Sequence, residues 1–132
     1  MIYLVIGKGG SGKTTWVRQH LGDGLAYDLD YFANAMKLQL SDKGQRSEDD
    51  SAAFVANELL MPFCEWARAY AENVFVIRCL PSSDEIDQIA PDILVVCSRQ
   101  YVRRPFKEKN ADKRLMEAIE YARTNSIQVR YA

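Results

Sequence analysis

A continuous apolar run, Ile2-Tyr3-Leu4-Val5-Ile6, passes without a linker into Gly7-Lys8-Gly9-Gly10-Ser11-Gly12-Lys13-Thr14 and then into a helix-forming stretch. An apolar run that does not alternate suits a strand buried on both faces, as in a parallel sheet covered by helices. The glycine-rich segment punctuates the strand and lets the chain turn tightly before a helix begins. Strand, glycine turn and helix form the opening unit of an α/β sheet, so the rest of the chain must supply further strands beside the first.

It does so at intervals. Val74-Phe75-Val76-Ile77 and Ile93-Leu94-Val95-Val96 are again unbroken apolar runs, and Leu25-Ala26-Tyr27 is a shorter candidate. Ile127-Gln128-Val129-Arg130-Tyr131 alternates, which fits an edge strand with one wetter face. Helices are expected between them. The first covers Thr14 to Leu21 and stops near Gly22-Asp23-Gly24; a second covers about residues 31 to 40. Ser47 with Asp50 reads as a capping box that opens a long helix to about residue 72. Its expected apolar face is Ala52, Ala56, Leu59, Phe63, Trp66 and Tyr70, with a kink at Pro62. Ser82 with Glu85 caps a short helix ended by Pro91, and a last helix spans about 110 to 124, its inner face Ala111, Leu115, Ala118 or Ile119, and Ala122. The 132 residues suffice for one domain, expected to be a three-layer sandwich around a mainly parallel five-stranded sheet. Ligands of such sheets sit beyond the carboxyl ends of the strands. That rule gathers the loops after Ile6 and Tyr27, residues Arg78 to Leu80, and the chain from Ser98 onward.

Each fixed position of G-x-x-x-x-G-K-[ST] is matched between Gly7 and Thr14. The residue types have a physical reason. Glycines let the main chain approach an anion, and successive amides at the start of a helix point at phosphate oxygens. Lys13 adds a mobile charge for β- and γ-phosphates, and Thr14 offers a hydroxyl to Mg²⁺. The expected nucleotide-binding set is therefore Gly7, Lys8, Gly9, Gly10, Ser11, Gly12, Lys13, Thr14 and Thr15, with ATP or another nucleoside triphosphate as ligand.

Composition narrows the remaining classes. Seventeen basic against eighteen acidic residues leave a formal charge of -1, so no global field drives binding to nucleic acid or membrane. The apolar runs are strand-sized, and the amino-terminal run lacks the layout of an export signal. Cys64, Cys79, Cys97 and the single His20 make no metal-site spacing. Cys79 and Cys97 follow apolar runs and are expected as buried free thiols in a reducing, cytoplasmic compartment.

Asp28-Leu29-Asp30 follows the second strand. Two carboxylates two residues apart can serve a metal and an acceptor hydroxyl at once, or can cap the helix that begins near Tyr31. With the loop at residues 7 to 14, this D-x-D resembles the P-loop kinases of the shikimate and gluconate type within the nucleoside- and nucleotide-kinase group. It is also similar to polynucleotide kinase and zeta-toxin kinase domains; a more diffuse likeness is to small phage P-loop proteins. The specific match covers about residues 1 to 31. The resemblance implies strand order 2-3-1-4-5 and a helical acceptor-binding region over 31 to 72. It puts Lys13 on the transferred phosphate, Thr14 and Asp28 at the metal, and Asp30 on the acceptor as binder or base, though the two aspartates could be exchanged. Two departures stand out. Arg78 occupies the place after the third strand where many P-loop enzymes carry an aspartate, and would bind phosphate or pair with Asp28 if it faced the site. The acceptor motifs of shikimate and gluconate kinases are absent.

Arg99, Arg103, Arg104, Lys107 and Lys109 cluster before the last helix, with Tyr101 and Phe106 between them. The resemblance implies a short lid over 99 to 109 whose Arg103 or Arg104 offsets charge in the transition state. A solvated basic loop and a contact to a nucleic-acid acceptor fit the same composition. Trp16 and Trp66 are expected in packing roles, Lys37 and Arg46 on the surface or beside an anionic acceptor, and His20 at a helix end.

Overall fold

The computed structural model describes residues 1–38, 50–98 and 110–132. Strands β1 (Ile2–Ile6), β2 (Leu25–Asp28), β3 (Val74–Ile77), β4 (Ile93–Val96) and β5 (Gln128–Tyr131) form one five-stranded sheet in the order β2-β3-β1-β4-β5. Every pairing is parallel, and the register sets Leu4 beside both Val76 and Leu94. The three central strands are the unbroken apolar runs, and nearly all their side chains are buried, because both faces of the sheet are covered.

Helices α1 (Lys13–His20), α2 (Leu29–Met36), α3 (Asp50–Glu58), α4 (Leu60–Tyr70), α5 (Ser83–Ile89) and α6 (Ala111–Thr124) divide unequally between those faces. Ile2, Leu4, Ile6, Val74, Val76, Leu94 and Val96 pack under α4, α5 and α6 through Leu60, Cys64, Ile86, Ile89, Ala118, Ile119 and Ala122. Val5, Phe75, Ile77, Ile93 and Val95 form the opposite core with Val17 of α1, flanked by Tyr3 and Trp16. Each fully buried aliphatic side chain of this kind contributes about 1.5–3 kcal/mol. The two layers of helix and the sheet between them are the expected three-layer α/β sandwich.

Several local expectations change. The helix expected from Ser47 to residue 72 is two helices broken at Leu59, not one kinked at Pro62; Ser47 itself lies outside the described residues. Pro62 is the reason. It sits in the first turn of α4, where its missing N–H has no intrahelical partner to lose, while its ring would clash with the carbonyl four residues back in a continuous helix. The break also moves the buried face to Leu60, Cys64 and Ala67, the last two small enough to suit close approach to the sheet. Trp66 is therefore 68% exposed and Tyr70 86% exposed, against the packing role expected of both, and Leu59 stands at the margin. Cys97 is buried as expected, whereas Cys79 is exposed because β3 ends at Ile77 and the thiol lies past the sheet. β5 is an edge strand exposed on most of its length. Helix α2 opens at Leu29, two residues earlier than anticipated.

Candidate functional site

The loop between β1 and α1 is clamped at its first residue. The Gly7 amide donates to the Cys79 carbonyl at 3.0 Å, just past β3. A Cβ on Gly7, whose φ is 155°, would lie 2.5 Å from the Cys97 carbonyl past β4 and 2.4 Å from Ser11 Oγ. Only a residue without a side chain fits between the ends of the two strands that flank β1. The far end of the loop is Gly12, the N-cap of α1, at φ 91°.

Few of the loop amides are used. Ser11 N donates to Lys8 O at 3.1 Å, and Trp16 N begins the helix ladder on Gly12 O at 2.9 Å. Among the described residues, the amides of Gly9, Gly10, Gly12, Lys13, Thr14 and Thr15 donate to no backbone carbonyl, no side chain caps α1, and its first turn holds no acidic residue. A helix N-terminus carries about half a positive charge, so this stretch is electropositive as well as rich in free donors.

Lys13 is buried, only 8% exposed, with Nζ 3.0 Å from Gly7 O and 2.9 Å from Lys8 O. Two carbonyls satisfy two of its three donors and cancel none of its charge. No carboxylate among the described residues makes an ion pair with it. A buried ammonium hydrogen-bonded to neutral carbonyls, in a loop with unused amides, is chemistry that suits a polyanion. Ser11 Oγ adds a buried hydroxyl with no partner among the described residues.

Asp28 lies beside this loop. Its Oδ1 accepts the amides of Asp30 at 2.9 Å and Tyr31 at 3.2 Å, so it is the N-cap of α2. The Thr14 side chain of the loop lies close enough to favour its charged form. Burial pushes its carboxyl above the ordinary carboxylate range, while the Tyr31 and Asp30 amides, the Lys13 charge and the Thr14 hydroxyl pull the other way. Capping and proximity to the loop are thus properties of one side chain rather than alternatives. Asp30 occupies the first turn of α2, half-buried. A hydroxyl and a carboxylate side by side are an oxygen donor set that suits Mg²⁺, which takes one or two protein oxygens and completes its shell with phosphate and water.

Arg78 turns away from Asp28. Its Nε and Nη2 donate to Glu85 Oε2 at 3.1 and 2.6 Å, and Nη1 donates to Asn57 Oδ1 at 3.1 Å, tying the end of β3 to α5 and α3. Glu85 is itself placed by Ser82, whose Oγ accepts the Glu85 amide at 3.2 Å. The conditional role for Arg78, binding phosphate or pairing with Asp28 if it faced the site, gives way to this arrangement: a single Glu85 carboxylate oxygen in the capped first turn of α5 accepts from two of its nitrogens. Nearby, the buried Tyr27 hydroxyl donates to Ala56 O at 2.5 Å and anchors α3 to β2; burial pushes this phenol up to about 12, against the Arg78 charge.

Sequence reasoning missed two of these links. Lys8 forms an ion pair with Asp112 at the start of α6, and Tyr27 holds Ala56. Both join residues far apart in the chain, which leave no spacing to read. Lys37 lies past the end of α2, exposed, and His20 stacks on Trp16 at 3.9 Å between ring centroids. Arg46, Arg99, Tyr101, Arg103, Arg104, Phe106, Lys107 and Lys109 lie outside the described residues. No helix among the described residues is long and apolar enough to cross a membrane. Comparison with models of known protein families finds no match for this sequence, and comparison with curated proteins finds none either.

Proposed function

We propose that the protein is a P-loop phosphotransferase of the small kinase type, binding a Mg-nucleoside triphosphate such as ATP and moving its γ-phosphoryl group to an acceptor hydroxyl. One observation carries the reading: the buried Lys13 ammonium, bonded to two loop carbonyls and to no carboxylate among the described residues, belongs to a loop at the carboxyl end of β1 whose amides are largely unused. In this reading the free amides of Gly9 to Thr15 surround the phosphates, and Lys13 leaves its two carbonyls for phosphate oxygens. Thr14 and Asp28 would hold Mg²⁺, which neutralises phosphate charge when bound. Asp28 lies close to Thr14, which favours the metal side for it and leaves Asp30, in the next turn of chain, to orient or deprotonate the acceptor hydroxyl. Arg103 or Arg104 would supply the cation that closes over the transferred group.

Incubation with [γ-³²P]ATP and pooled nucleosides, sugars, small hydroxy acids and 5′-hydroxyl oligonucleotides tests this. A labelled product that vanishes in Asp30→Asn, with ATP affinity retained, is the expected result. Label released only as inorganic phosphate, equally in both proteins, would refute phosphoryl transfer.

A second reading, an ATP-binding or ATP-hydrolysing module without an acceptor, is favoured by Arg78. The position after β3 offers no carboxylate to a metal, and its guanidinium is already engaged by Glu85 and Asn57.

A further inference from the structure

Two polar groups beside Gly7 lack partners among the described residues. Ser11 is 6% exposed, and its Oγ makes no hydrogen bond to any of them. Among the described residues no donor reaches the Cys97 carbonyl, although the amide of the same residue pairs with Ile6 O at 2.8 Å. Both groups lie within 2.5 Å of the point where a Gly7 Cβ would stand, at 2.4 Å for Ser11 Oγ and 2.5 Å for Cys97 O. A donor and an acceptor therefore face one another across the bare α-carbon of Gly7, near but not bonded. Leaving a buried hydroxyl unpaired is costly, and alanine at this position would avoid that cost at almost the same volume.

The rest of the loop explains how the pair could close. Ser11 N is held to Lys8 O, and Lys8 O also holds Lys13 Nζ at 2.9 Å. When Lys13 leaves Lys8 O and Gly7 O for an anion, the turn that carries Ser11 loses one of the contacts that fix its place. We infer that Ser11 is a positioning residue whose hydroxyl donates to the Cys97 carbonyl only when the loop holds a polyphosphate, locking the loop onto the end of β4. The inference rests on the proposed nucleotide site. It adds to it a coupling between occupancy of the loop and the carboxyl end of β4. Gly7 is then required not merely for its backbone angle but because any side chain would occupy the gap this bond must cross.

Calorimetry with Mg²⁺ and a non-hydrolysable ATP analogue, on the parent and on Ser11→Ala, separates the possibilities. The expected result is unchanged or raised melting temperature without ligand, together with about tenfold weaker analogue binding, the size of one buried hydrogen bond. The ¹³C shift of the Cys97 carbonyl, followed by NMR, should move on ligand addition in the parent and stay still in Ser11→Ala. Equal affinity and an equal Cys97 shift in both proteins would overturn the coupling while leaving nucleotide binding intact. So would a lower ligand-free melting temperature in Ser11→Ala, which would mean the hydroxyl is already bonded in the empty loop. No analogue uptake by the parent would remove the nucleotide site and this inference together.

Discussion

The turn after β1 and the turn after β2 both carry the chain from a parallel strand into a helix at the same end of the sheet, yet they treat the helix N-terminus in opposite ways. After β2, the Asp28 side chain takes the amides of Asp30 and Tyr31, and Asp30 adds a second negative charge to the first turn. After β1, no side chain caps α1 and its own first turn has no acid; the Lys13 ammonium bonds two carbonyls, and the nearest carboxylate, Asp28, belongs to the neighbouring turn. The turn after β3 follows the β2 pattern, with Ser82 as cap and Asp84 and Glu85 behind it. A capped terminus satisfies orphan donors with the protein's own oxygens, whereas an uncapped one keeps them for another anion. α4 and α6 also begin without a side-chain cap, so the contrast supports the proposed site only together with the glycine loop and the buried Lys13.

The contrast breaks first at Lys13. Lys13→Ala removes the loop's buried charge, and Mg-ATP affinity should fall about a hundredfold by calorimetry, the upper range for hydrogen bonds to a charged group. The buried Gly7 carbonyl loses a donor as well, so a small drop in melting temperature should accompany the loss of affinity. Retained affinity would dissolve the distinction between the two turns.

Tyr27 tests the other side, where the protein satisfies itself. Its folded pKa of about 12 lies above the usual value of 10.0, so the phenol adds stability that is complete below pH 10 and lost as pH rises through 12. Denaturant unfolding of the parent should lose up to about 2 kcal/mol over that window relative to Tyr27→Phe. Parallel pH curves for the two proteins would mean that the Tyr27 phenol is not shielded from water in the folded protein.

Much of this arrangement was legible beforehand, for reasons that differ by residue. The unbroken runs at 2 to 6, 74 to 77 and 93 to 96 announce buried parallel strands, because only a sheet covered on both faces hides every side chain. The order of the strands came from the resemblance to small kinases, since spacing alone does not fix which neighbours pair. The loop was readable from Gly7 to Thr14, being local. The direction of Arg78 was not: its choice of Glu85 over Asp28 depends on where α5 starts in space. The exposed flank of α4 was misread because the helical period was run through Leu59, where the chain breaks to accommodate Pro62. Local signals survive in one dimension, and contacts between distant segments do not.

Exchanging the character of the two turns sharpens the contrast further. Thr15 is exposed in the first turn of α1, so Thr15→Glu gives that helix the acid it lacks. The helix should gain about 0.3–1 kcal/mol from its dipole, read as a raised melting temperature. Mg-ATP binding should weaken about tenfold, since the new carboxylate repels the phosphates at close range. Stability and affinity moving in opposite directions is the signature of a terminus kept open for a ligand; a rise in both would contradict it.

The smallest expected effect is at Asp28, where cap and site coincide. Asp28→Ala removes the acceptor for two amides and should cost about 1 kcal/mol in denaturant unfolding at neutral pH. Asp28→Asn keeps an equally good cap and removes a charge that burial disfavours, so it should be as stable as the parent or slightly more so. The same Asn variant should bind Mg-ATP no better than ATP without the metal, since the carboxylate beside Thr14 is gone. If Asn and Ala prove equally destabilising, the charge of Asp28 rather than its geometry holds α2. The turn after β2 would then be an electrostatic partner of the Lys13 loop instead of its self-sufficient opposite.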